Sequence, residues 1–184
     1  MEKIAGFMAR KMVKHEVIDE TDEMFYCYAI ECFLICLVNI VTMFIIAICM
    51  KKFVECCFFL IVFIPLRSLC GGVHMKKWYS CYVVSCGIVA MILWISGRII
   101  VGYPVLIVGL VLCNVVIGQL APCVHENHEL EESEITKAKT KAIRYSVISS
   151  LIAIGLQIVG NEMFVMLCFS AEWLVVVLLV LGQV

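Results

Sequence analysis

Long apolar runs alternate with short polar breaks along nearly the whole chain. The runs cover approximately residues 24–50, 53–69, 78–97, 99–121, 145–160 and 163–182. A helix needs about 20 apolar residues to cross the hydrocarbon core of a bilayer. The first, third, fourth and sixth runs meet that length. The second and fifth are short, and are expected either to span with help from their neighbours or to enter as broken or re-entrant pieces. Before them, residues 1–23 are mixed. Ile4, Met8 and Met12 fall on one helical stripe, with Lys3, Arg10, Lys11 and Lys14 elsewhere. That pattern predicts an amphipathic helix at the membrane surface, weighed against an ordinary solvated helix.

Composition sharpens the picture. Of 184 residues, 64% are hydrophobic and 16% charged, against about half and a quarter in a soluble domain. Mean hydropathy is +1.06. The expectation is an all-α polytopic membrane protein of about six transmembrane or partly re-entrant helices, forming one domain over 1–184, with the lipid bilayer as its main surrounding. A net charge of −1 leaves no basic footprint for nucleic acid. The first apolar run starts only near Met24 and is too long for the core of a cleavable signal. Twelve cysteines in a secreted chain would suggest disulfides. Here Cys27, Cys32, Cys36, Cys49, Cys56, Cys57, Cys86, Cys113 and Cys168 lie inside apolar runs, where cysteine serves as a small, soft packing residue.

Charge also orients the chain. With six spans both termini share one side. Placing them inside puts 11 of the 14 lysines and arginines there, including Arg67, Lys76, Lys77 and the four bases of 137–144. Only Lys51, Lys52 and Arg98 then lie outside. The positive-inside rule selects that orientation, so the 67–77 stretch and the polar 122–144 loop are expected to face the cytoplasm.

Chemistry concentrates in RSLCGGVHMKKWYSC, residues 67–81. A histidine and a cysteine at a membrane edge are the parts of a thiol nucleophile and its base. A helix beginning near Trp78 would hold Cys81 in its first turn, where the helix N-terminus and the nearby Lys76 and Lys77 favour a thiolate. Cys86 is one to two turns deeper in lipid, where a thiolate is disfavoured. Cys70 precedes the loop and stays a candidate by position. His74 lies seven residues before Cys81; on one helix their Cα atoms would stand roughly 10 Å apart, too far for proton transfer. Gly71 and Gly72 supply flexible backbone, so His74 is expected in a turn folded back over the helix start. The competing reading is an interfacial histidine.

The motif R-x3-GG-x-H-x6-C, in a small chain of six apolar runs, resembles the AgrB family of Gram-positive peptide quorum sensing. The resemblance extends to the amphipathic N-terminus, the spacing of the runs and Pro122 at the end of the fourth. It implies that Cys81 and His74 are catalytic, and that Arg67, Gly71, Gly72 and Pro122 position substrate or backbone. It implies a cysteine endopeptidase that cuts the C-terminal part from an AgrD-like propeptide through a Cys81 thioester, in the cell membrane of a Gram-positive bacterium. An internal cysteine or serine of the substrate then closes a thiolactone or lactone. No cofactor and no metal are implied, and relatives suggest a homodimer.

Other residues carry competing readings. Cys123, His125 and His128 read C-x-H-x2-H beside Glu126 and Glu129. These are metal-ligand types, but the spacing lacks an evident fourth ligand, and a solvated loop accounts for them better. Glu31, Glu55 and Glu172 lie inside apolar runs, with Glu172 near mid-membrane, where an acid is expensive. A small transporter or channel would use Glu172 and Glu31 as ion sites; a hydrogen-bonded glutamate joining helices is the plainer account. A noncatalytic scaffold is a third possibility. The orientation can be checked directly. An impermeant thiol reagent applied to intact cells is expected to miss Cys123, and labelling from outside would reverse the topology.

Overall fold

The computed structural model describes residues 2–15, 17–71, 78–123 and 132–183. They form seven α-helices: α1 (Glu2–Lys14), α2 (Glu23–Cys49), α3 (Phe53–Cys70), α4 (Trp78–Ile95), α5 (Tyr103–Leu120), α6 (Glu132–Val159) and α7 (Glu162–Leu181). A single 3-10 turn, Glu20–Asp22, leads into α2. Among the described residues there is no strand, only an isolated bridge between Gly71 and Cys123. Five helices are long and apolar enough to cross a membrane, and α4 is a slightly shorter apolar helix over Tyr79–Ile95. The chain is an all-α polytopic membrane protein.

Of the two alternatives for the short runs, the structure favours the span for the second and revises the bounds of the fifth. The second run forms one unbroken 18-residue helix, α3, which carries Pro65 without interruption. The fifth run is not short. Its helix starts at Glu132 and runs for 28 residues, so much of the polar 122–144 stretch is the first part of α6. Polar residues at an exposed helix end cost little, and the helix extends past its apolar stretch. The fourth run starts later than its apolar residues suggest, because Pro104 in the first turn sets the start of α5.

α7 is the central element, packed against α3, α5 and α6, while α2 lies against α1, α3 and α4. The buried residues on α7 include Val165, Leu167, Cys168, Ala171, Glu172 and Val175. Close approach of α5 and α7 depends on Gly109. A Cβ there would lie 2.5 Å from the Phe169 ring, so any side chain would push the two helices apart. The outward faces remain apolar, as lipid requires: Ile61, Val83, Val108, Leu151 and Val177 are all exposed.

α2 and α4 run side by side in parallel. Tyr82 donates to Thr42 Oγ1 at 2.9 Å, Cys86 donates to Asn39 Oδ1 at 3.4 Å, and Lys52 beyond the end of α2 reaches Ser96 beyond the end of α4. These contacts place the start of α4 partway along α2, whose first two turns project past it. α2 is 27 residues long, about 40 Å against a hydrocarbon thickness of about 30 Å. α1 folds back antiparallel along this projection. Its Arg10 pairs with Glu23 at 3.5 Å, Gly6 faces Cys27, and Ala5 and Ala9 are fully buried. Ile4 and Met8 of the amphipathic stripe stay exposed, together with Phe7.

At the opposite end Lys52 acts as a cap. Its Nζ donates to the carbonyl of Leu93 and to Ser96 Oγ at 3.3 Å, placing a cation on the C-terminal end of α4. Lys52→Met should lower the melting temperature of the detergent-solubilised protein, with a loss of about 1–3 kcal/mol as expected for hydrogen bonds to a charged donor. Lys51→Met, at an exposed position, should change it little. Equal melting temperatures for the two variants would contradict the cap.

Candidate functional site

The last turn of α3 and the first turn of α4 converge at one end of the bundle. Arg67, half-buried, belongs to the first; Cys81, also half-buried, belongs to the second. The Arg67 guanidinium lies within electrostatic reach of the thiols of Cys81, Cys70 and Cys123. Cys81 Sγ stands 4.0 Å from Ser85 Oγ on its own helix and within electrostatic reach of Cys36 on α2. Burial separates the three sulfurs weighed as nucleophiles. Cys70 is fully buried and Cys86 is 8% exposed, whereas Cys81 keeps a partly open face.

Gly71 ends α3. Its φ of +72° is a left-handed conformation that a glycine adopts without strain. Arg67 Nη1 donates to the Gly71 carbonyl. On the far side Gly71 pairs with Cys123, whose backbone N–H donates to the Cys70 carbonyl at 2.9 Å. Cys123 Sγ in turn donates to the carbonyl of Gly182 at 3.4 Å. The ends of α3, α5 and α7 are thereby tied together. Pro122, the half-buried residue before Cys123, follows a cis peptide bond. Beneath this knot lie Leu66, Cys70, Ile117, Ala121, Val176 and Leu179.

Four of the six expected site residues thus gather at one end: Arg67, Gly71, Cys81 and Pro122. Gly72 and His74 lie outside the described residues, as do Lys76, Lys77, His125, His128, Glu126 and Glu129. Among the described residues no three His, Cys, Asp or Glu side chains gather as a metal site. The residue that sequence reasoning underrated is Cys123. Its pairing with Gly71 joins distant parts of the chain, and no local spacing signals it.

The two acids behind the ion-site reading do not form one centre. Glu172 is fully buried and accepts from Ser150 Oγ at 3.0–3.1 Å. Ser150 Oγ accepts from Asn114 Nδ2 at 2.8 Å, so the polar chain joins α5, α6 and α7. A cavity of about 350 Å³ adjoins it, lined by Ile107, Leu110, Asn114, Val115, Ser150 and Ile154 among others. Glu31 is half-buried on α2, a helix that takes no part in the polar chain of α5, α6 and α7 around Glu172.

The arrangement defines a class: a polytopic helical membrane protein with a half-open cysteine under an arginine at one end of its bundle. The family model for AgrB, accessory gene regulator B, matches residues 2–179. The chain belongs to that family, which processes the AgrD propeptide in accessory-gene-regulator quorum sensing. No curated protein and no solved structure matches the chain.

The glycine is the most constrained position of the site. A Cβ on Gly71 would lie 2.7 Å from the Cys123 carbonyl oxygen, at a φ that other residues reach only with strain. Gly71→Ala is expected to open the pairing, to cost roughly 1–3 kcal/mol, and to expose Cys70 to alkylation. Unchanged melting temperature together with unchanged protection of Cys70 would show that the pairing does not hold these helix ends.

Proposed function

We propose that the protein is a membrane-embedded cysteine endopeptidase that cleaves an AgrD-like propeptide through a Cys81 thioester and lets the product close on itself. The observation that carries this reading is Cys81, the one of the three sulfurs that burial leaves partly open, within electrostatic reach of Arg67 in a chain of the AgrB family. His74 takes the Cys81 proton. The thiolate attacks the scissile carbonyl, the C–N bond breaks, and the departing amine receives the proton from His74. The N-terminal part of the substrate stays on Cys81 as a thioester. An internal cysteine or serine of that peptide then attacks the thioester carbonyl. The bond to Cys81 breaks, the thiol is restored, and a thiolactone or lactone ring is released. Lipid on the flanks of α3 and α4 limits water, which would otherwise hydrolyse the thioester. Arg67 positions the thiolate or docks an acidic part of the substrate, and its fork of donors suits a carboxylate. The site faces the cytoplasm by the charge bias of the loops.

The ion-site reading has less support. Glu172 already has a hydroxyl partner on α6, which suits a helix-joining acid, and Glu31 is on α2, outside that polar chain.

Purified protein mixed with propeptide should give a covalent adduct that hydroxylamine removes. Cys81→Ala should abolish it, and Cys86→Ala should leave most of it. His74→Ala should cut the rate of adduct formation by about 10²–10⁴-fold, as loss of a general base does, with propeptide binding nearly intact. Glu172→Gln should be tolerated far better than Cys81→Ala. An adduct that survives Cys81→Ala but not Cys70→Ala would move the nucleophile.

A further inference from the structure

α3 bears a proline shortly before its functional last turn. Pro65 has no amide hydrogen, so the carbonyl of Ile61, four residues earlier, loses its helical donor. Inside a bilayer such a carbonyl must find another partner, because water is absent. The Tyr145 hydroxyl of α6 donates to Ile61 O at 2.8 Å. Ser68 Oγ lies 3.0 Å from the carbonyls of both Ile64 and Pro65. The backbone loosened by the proline is therefore held from within the helix by Ser68 and from outside it by Tyr145. The residues just after this point are Arg67, Cys70 and Gly71. The Tyr145 ring also packs against the buried cluster that contains Leu66, Cys70 and Ala142.

We propose that Tyr145 is a positioning residue for the Arg67–Cys81 pair: by holding the carbonyl that Pro65 leaves without an amide donor, it sets the direction of the last turn of α3 and so the reach of Arg67 toward Cys81. The catalytic consequence rests on the peptidase reading above; the structural one does not. Tyr145 acts through Arg67, not on the substrate. Because α6 begins at Glu132, directly after the polar loop, a shift of α6 would be passed through this one hydroxyl to the arginine. Among the described residues, Cys81 has Arg67 from α3 and Cys36 from α2 within electrostatic reach and Ser85 of α4 at 4.0 Å; Arg67 is the cation among these three.

The test is a double-mutant cycle on the full chain in detergent or nanodiscs. Tyr145→Phe removes one oxygen and leaves the ring in its cluster. Pro65→Ala supplies an N–H that can serve Ile61 from within the helix. Two quantities are read in the wild type, both single variants and the double variant. One is thioester formation, split into its maximum rate and its half-saturating propeptide concentration. The other is the alkylation rate of Cys81 by a small maleimide, followed by peptide mass spectrometry. Tyr145→Phe should lower the maximum rate and the Cys81 alkylation rate about three- to tenfold, the equivalent of one hydrogen bond. The half-saturating concentration should move less than about twofold on the same scale. In the Pro65→Ala background the same change should do almost nothing to either rate, since the carbonyl already has its donor. A Tyr145→Phe variant that folds poorly but recovers with Pro65→Ala supports the proposal equally well; one that does not recover overturns it. So does an equal loss in both backgrounds, or no loss in the wild-type background. If the wild type forms no thioester, the peptidase reading fails by itself, and the alkylation rates still decide the role of Tyr145.

Discussion

Inside a bilayer every polar group must find its partner within the protein, and the polar contacts of this chain follow from that demand. A helix satisfies its own backbone except at its ends and at a proline. At the end of α3 such leftover groups lie where the chemistry is expected. The end of α3 leaves carbonyls at Arg67, Cys70 and Gly71; the amide of Gly71, the amide of Cys123 and the Arg67 side chain take them up in turn. Three helix ends are joined as a consequence, and the arginine stays within electrostatic reach of Cys81 while it satisfies its neighbour. The same groups that close the backbone accounts also build the site.

The middle of the bundle solves a different problem. Glu172 is buried among α5, α6 and α7 with Ser150 as donor and Asn114 behind it. Ser146, Ser149 and Ser150 form a small-residue face on α6 that allows α7 to approach closely, as small residues do between membrane helices. A polar chain across three helices fixes which faces meet, whereas apolar contacts between lipid-exposed helices discriminate poorly. The acid is thus explained by its place in the packing. The Cys81 end is built instead on the ends of α3, α4 and α5.

Much of this was legible in the sequence because its signals are local. Apolar runs marked every membrane helix, the start of α4 at Trp78 put Cys81 in a first turn, and the glycine pair marked the break after α3. What was not legible is non-local. The short fifth run gave no sign that α6 begins at Glu132, because exposed helix continues on polar residues that hydropathy reads as loop. Cys123 looked like part of a loop cluster with His125 and His128, since its bond to Cys70 depends on α3 and α5 ending side by side.

The placement of Cys81 carries a further constraint on how a thioester could survive. A nucleophile deep in the apolar core would be shielded from water but could not readily ionise. One in open solvent would ionise but lose its acyl group to hydrolysis. For the proposed mechanism the first turn of α4 is a compromise between the two: Cys81 is half-buried there and within electrostatic reach of Arg67. On this argument the site gains selectivity for an internal nucleophile by its depth as much as by its residues. A residue such as Arg67, which reaches up from α3 without bringing the sulfur further into solvent, is what that depth requires.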